Sequence, residues 1–144
     1  MVWTYLPLGT LPWIDDIVWC RFPMGGNPNI PGGEHHPVLV LARRINIQDR
    51  RGGLTVAYGT STTKEAERGT LDLIITADEI AAHGLRYPTR FDLADVNRIH
   101  PPWCSEFFST PRSQPNIHIG SLGDGAKTRL TDLLCWRAEN GRTD

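Results

Sequence analysis

The chain has 144 residues, 40% of them hydrophobic, which suffices for one globular core and is short for two. A formal net charge of −1 excludes a general nucleic-acid binder that relies on an overall basic surface, so any nucleic-acid contact has to be local. The 11 prolines and 14 glycines interrupt the chain too often for a helical bundle and favour short strands joined by structured loops.

Residues 1–13 are apolar but contain Pro7 and Pro12 and lack a cationic start, which is not the pattern of a secretory signal. They read as an arm packed on a single domain, residues 14–144, through Trp3, Tyr5 and Trp13. No run approaches the roughly 20 apolar residues that span a bilayer, so no membrane contact is expected. Cys20, Cys104 and Cys135 are an odd number of scattered cysteines in apolar or helical surroundings. They make no disulfide framework and no Cys-x-x-Cys metal motif, and they read as buried or half-buried free thiols of a cytoplasmic protein. His35 and His36 are adjacent, a poor spacing for two ligands of one metal, so neither metal nor other cofactor is expected.

Residues 16–22 and 38–45 carry Val, Ile, Leu, Trp and Phe on both faces, which predicts buried strands. Between them, Met24 to Glu34 holds four glycines and two prolines and is too long for a tight turn. Arg50-Arg51-Gly52-Gly53 turns the chain into a strand over 54–59, and 71–75 predicts a fourth. Thr76-Ala77-Asp78-Glu79 has the capping-box pattern, so a short helix is expected to follow and to stop at Gly84. Residues 89–93 and 96–99 predict two more short strands, the second ended by Pro101-Pro102. From Asp124, Ala126, Leu130, Leu133, Leu134 and Ala138 recur at helical spacing, which predicts a closing amphipathic helix capped by Asp124 and stopped near Gly141. The fold class is therefore mainly β (α+β): a small, strongly bent antiparallel barrel with a short helix and a C-terminal amphipathic helix.

Two polar strand ends meet in this arrangement. Gly33-Glu34-His35-His36 leads through Pro37 into an apolar strand, and the strand 54–59 ends in Thr60-Ser61-Thr62-Thr63-Lys64. In order, Asp16-Ile17-Val18-Trp19, the Pro/Gly loop, His36-Pro37-Val38-Leu39-Val40-Leu41 and a strand ending in Thr-Ser resemble the PemK/MazF family of toxin–antitoxin ribonucleases. The resemblance runs from about Asp15 to Leu134, and Leu85 to Leu93 and Ile119-Gly120-Ser121-Leu122 echo that family's closing pattern. It implies an SH3-like barrel, a homodimer with sites near the subunit interface, single-stranded RNA as substrate, and an inhibiting antitoxin protein. It also implies that the loop from Met24 to Glu34 gates RNA and helps to seat the antitoxin.

Cleavage of RNA without a metal needs a base for the 2′-hydroxyl, an acid for the leaving 5′-oxygen, and donors for the charge on phosphorus. The similar toxins use an Arg just before the strand-two Pro and a Thr at the end of strand three. The Thr corresponds to Thr60, followed by Ser61; the Arg position holds His36. A guanidinium is always charged and bidentate, whereas an imidazole near neutral pH offers proton transfer. Three readings stay open: His36 is the acid or base and a nearby Arg supplies charge, the site is inactive, or the nuclease assignment does not hold for this chain.

Candidate catalytic residues are thus His36, Thr60 and Ser61. Candidate substrate-binding residues are Glu34, His35, Arg43, Arg44, Tyr58, Lys64, Arg90 and Asp92. Each has a plainer reading beside it. The histidines and hydroxyls can serve as backbone partners at loop ends, and Arg90 with Asp92, alternating on one strand, can be a surface ion pair. Arg43-Arg44 with Arg50-Arg51 is the densest basic cluster, but 13 Arg against two Lys throughout the chain make such clusters common. Trp19, Phe22, Tyr58 and Trp103 are possible base-stacking groups; of these, Tyr58 is the one core packing explains least. Two rivals from other classes remain: a non-catalytic module binding nucleic acid or peptide on the same barrel, and a phage or plasmid regulatory protein.

Overall fold

Strands whose side chains are apolar on both faces must be covered on both faces, and this requirement organises the molecule. A computed structural model of the protein describes residues 2–23, 25–61, 71–112 and 114–141. Among them are six strands: β1 (Asp16–Cys20), β2 (His36–Asn46), β3 (Arg51–Thr60), β4 (Leu73–Ile75), β5 (Thr89–Phe91) and β6 (His118–Ser121). They form one sheet in the order β4-β5-β3-β2-β1-β6, every pair antiparallel, curled into a half-barrel. A helix, α1 (Asp124–Glu139), closes the chain. Irregular register between Val40 and Ala42 in β2, and between Ile17 and Val18 against β6, adds local twist and bends the sheet.

The period of two along the central strands divides the core. Val18, Val38, Val40 and Val56 enter one cluster with Trp103, Phe107 and Phe108, covered by Leu11, Leu8 and Trp3 of the arm. Ile17, Leu39 and Ala57 enter the other with Ile75, Phe91 and Leu93, covered by Ala126 and Leu130 of α1, against which Leu133 and Leu134 pack half-buried. The arm is tied by main-chain hydrogen bonds from Leu6 N–H to the Trp103 carbonyl and from Ser105 N–H to the Thr4 carbonyl. Trp3 packs on Phe107, but Trp13 is 68% exposed and stacks under the Arg43 guanidinium rather than entering the body.

The three expected long strands are present, β1 ending at Cys20, two residues short of the expected 16–22, and β2 and β3 each longer than predicted. Gly52 and Gly53 lie inside β3 and not in the turn, because the strand backbone there runs against Leu11 and the Arg44 side chain. The segment 96–99 is no strand. Asp92 accepts hydrogen bonds from Ala94 N–H and the Asn97 side chain, which folds Asp95–Asn97 into a 3-10 turn and leaves Val96 exposed; Ile99 alone bridges to Val56.

After Thr76 the Glu79 carboxylate accepts from the Thr76 N–H as a capping box would, yet only a turn and a 3-10 segment, Ala81–His83, follow. Gly84 ends it at φ +75°, as expected. Asp124 is the first residue of α1 instead of its cap, which is Gly123. Cys135 and Ala138 face solvent, while Arg137 is buried, its Nε donating to the Leu71 carbonyl and an Nη to Asp72. Among the described residues no helix is long and apolar enough to cross a membrane.

Candidate functional site

The registers of β1, β2 and β3 place one polar group after another around a single mouth. Trp19 faces Pro37 and Cys20 faces His36 across β1 and β2, and Val38 faces Tyr58 across β2 and β3, so His36 and Tyr58 lie on the same side of the sheet. Gly59 allows the strands to close there, since a Cβ would stand 2.5 Å from the Pro37 carbonyl oxygen. The result is a cavity of about 420 Å³ lined by His36, Tyr58, Thr60 and Ser61 on one side, by Leu85 to Tyr87 on another, and by Gln114 to Asn116 and His118 on a third. Trp19 and Tyr87 add aromatic surface.

The His36 ring is half-buried and meets Tyr58 edge to face at 5.1 Å between centroids, and Phe22 backs Tyr58 at 5.1 Å. Burial holds the imidazole below its ordinary pKa, with the Glu34 carboxylate pulling it partly back. A neutral ring is a proton acceptor at neutral pH, which suits a general base. Thr60 pairs with Arg90 across β3 and β5 and is one of the residues lining the cavity; Ser61 follows, exposed. Arg86 supplies an exposed guanidinium at the rim. The cavity therefore offers acid/base groups, hydroxyl donors, a cation and stacking surfaces together.

Of the eleven residues singled out in the sequence, His36, Tyr58, Thr60 and Ser61 share this cavity. His35 instead pairs its Nε2 with the Ser109 hydroxyl at 2.8 Å, its pKa lowered by burial and by the nearby Arg21 and His36. Glu34 is exposed and acts on His36 through its charge. Arg43 and Arg44 sit toward the far end of the hairpin, about 20 Å of strand from His36. There Arg43 stacks on Trp13 at 3.9 Å, and Arg44 donates to the His100 carbonyl at 3.0 Å and to the Thr55 hydroxyl at 3.2 Å. Arg90 and Asp92 do not pair with each other: Arg90 lies 3.8 Å from Asp72, and Asp92 holds the 3-10 turn. Both line a neighbouring hollow that shares Tyr58 with the first cavity. Lys64 and the adjoining Thr62 and Thr63 lie outside the described residues.

His118 was not foreseen. It follows a Pro/Asn-rich stretch with no strand-like run, and only the pairing of β6 with β1 brings it to the cavity. Its Nε2 stands 3.5 Å from Asp16 Oδ2. Arg86 and Asn116 were missed for the same reason, since they arrive on loops.

Thiol chemistry at Cys20 and Cys104 is disfavoured. Burial pushes the Cys20 thiol far up, with Cys104 adding to it, and burial likewise raises Cys104 to about 11, so both remain protonated. Among the described residues no group of three or more His, Cys, Asp or Glu is placed to hold a metal ion. No protein-family model matches the chain, and no curated protein does.

Proposed function

We propose that the protein is a metal-independent endoribonuclease of the PemK/MazF type, cleaving single-stranded RNA in the cytoplasm and restrained by an antitoxin protein. The observation that carries this reading is the shared cavity of His36, Thr60 and Ser61, three groups chosen for RNA cleavage from positions 25 residues apart in the chain. His36 takes the 2′-hydroxyl proton, the 2′-oxygen attacks phosphorus, and the Thr60 and Ser61 hydroxyls with Arg86 stabilise the charge that builds on the phosphoryl oxygens. Tyr58, Trp19 and Tyr87 hold bases splayed out of a single strand. The curled antiparallel sheet is compatible with the SH3-like barrel of that family, and a homodimer belongs to the same reading.

The test is incubation of purified protein with a mixed RNA in EDTA, with cut sites mapped. Cleavage leaving 2′,3′-cyclic phosphate and 5′-hydroxyl ends is expected, and a preparation that binds RNA without cutting it removes the enzyme. That outcome would favour a binding module on the same barrel, for which His36 in the family's Arg position is the one supporting feature. Light scattering that gives a monomer mass across micromolar concentrations would remove the homodimer.

A further inference from the structure

We infer that the hollow between the N-terminal arm and the body is a second nucleobase site, in which Trp13 stacks the base of a nucleotide flanking the cut; this rests on the ribonuclease reading of the cavity. The hollow has a volume of about 900 Å³ and shares Pro115, Asn116 and His118 with the cavity. All three are exposed, so one strand can cross that ridge through solvent and occupy both hollows without entering the buried face of β1. Asp16 of the hollow and Trp19 of the cavity are three residues apart on β1, about 10 Å, which is the rise of roughly three stacked nucleotides and of fewer when the strand is extended. Asp16 is the only permanent charge among the described residues lining the hollow, and Thr10, Ser109, Thr110 and Asn116 add neutral hydrogen-bonding groups. Such a wall suits the uncharged edge of a base and leaves the phosphates outside in solvent.

The turn that presents Trp13 is fixed at both of that residue's main-chain groups. The Trp13 N–H donates to Asp16 Oδ2 at 2.9 Å, and the Trp13 carbonyl accepts the Asp16 N–H at 3.1 Å. Asp16 is itself buried and accepts the Ser121 hydroxyl at 2.7 Å. Within the turn Asp15 takes φ +75°, a costly backbone for a residue other than glycine, and two long-range bonds pin it there: its N–H donates to the Val40 carbonyl and its carbonyl accepts the Leu122 N–H. This rigid turn holds a large indole 68% exposed, although burial of the ring would stabilise the fold. The Arg43 guanidinium covers one face of the ring at 3.9 Å from its centroid, and exposure this high leaves the other face to solvent. An indole backed by a cation is a stacking platform that also sets a positive charge beside a polyanion.

The experiment uses the full chain and a single-stranded oligonucleotide with one mapped cut site. Trp13→Ala should raise KM roughly 5- to 100-fold, the worth of one base–aromatic stack, and leave kcat little changed. Trp13→Phe should recover most of that loss, and Trp136→Ala, at an exposed tryptophan on α1, should change nothing. A second set of oligonucleotides lacks the base at one position at a time on either side of the cut nucleotide. For wild type one of these abasic positions should raise KM by a similar factor, and for Trp13→Ala the same position should add no further loss. If wild type cuts RNA and Trp13→Ala cuts it with the same KM, or every abasic penalty persists in Trp13→Ala, the platform is overturned and the ribonuclease stands. A Trp13→Ala variant that scatters as a monomer where wild type is a dimer, with the abasic penalties intact, assigns the residue to contact with a second copy and also overturns the platform. If wild type binds RNA without cutting it, the ribonuclease falls and the same base deletions, read as Kd, still decide the platform. If wild type neither binds nor cuts, both proposals fall.

Discussion

The two ends of the β2–β3 hairpin carry opposite kinds of polar chemistry. At the Arg43, Arg44 and Arg51 end the charges are dense but engaged: one guanidinium lies on Trp13, one on Tyr5 at 4.5 Å, and one on two carbonyls and a hydroxyl. At the His36, Tyr58 and Thr60 end formal charge is sparse, but groups of different chemistry converge on one hollow. Charge density in the sequence therefore marks the end whose cations the protein itself engages. What matters is which groups fold leaves facing a shared volume, because a donor already satisfied by the protein must break that contact before it serves a ligand.

The largest expected difference between the ends is catalytic. His36→Ala should lower cleavage by roughly 10² to 10⁴ with RNA affinity little changed, whereas Arg43→Ala should leave the rate near wild type. Measured kcat and a binding isotherm for each variant decide it, and equal losses at both ends would erase the contrast. Thr60→Ala should fall between the two, with Ser61→Ala as its neighbouring control.

The ends also differ in packing. Gly59→Ala sets a Cβ 2.5 Å from a backbone oxygen and 2.8 Å from the fully buried Phe91 ring, and should cost roughly 1–3 kcal/mol in urea unfolding. Gly53→Ala meets no backbone but stands 2.6 Å from the Arg44 Nη2 that donates to the 100–101 carbonyls, so its cost should be that of displacing this group, about 1 kcal/mol. Arg44→Ala should cost about 1 kcal/mol through lost hydrogen bonds to the 100–101 carbonyls and leave catalysis unchanged.

The smallest effect is a pH dependence of stability centred on the site side of the molecule. His83 is buried beside Gly123, whose N–H it accepts at Nδ1, and burial lowers its pKa below 6.5, with Glu79 opposing and Arg129 adding. His36 shifts the same way for the same first cause. The unfolded chain takes up these protons near 6.5 and the folded chain does so only at lower pH. The contribution to stability is therefore complete above 6.5 and is lost as pH falls below it toward the folded values. His83→Asn, which keeps an acceptor near Gly123, should flatten part of that slope in thermal melts, and an unchanged slope would count against it.

The strands 16–22, 38–45 and 54–59 and the helix from Asp124 were legible because continuous apolar runs and helical spacing are local properties of side chains that must be buried. The polar ends of β2 and β3 were legible as candidates for the same reason, since Pro37 and Thr60 mark where the apolar runs stop. The segment 96–99 misled because the Asp92 side chain captures backbone and Asn97 donors that strand pairing would have used. His118 and Asp16, 102 residues apart, become neighbours only when β6 adds to the edge of β1. Which arginines stay free was decided in the same way, by rings and carbonyls brought from Leu11, Trp13 and His100. A sequence fixes which groups its elements carry; long-range pairing alone fixes which of them face one another, because that geometry depends on the register and curl of the whole sheet.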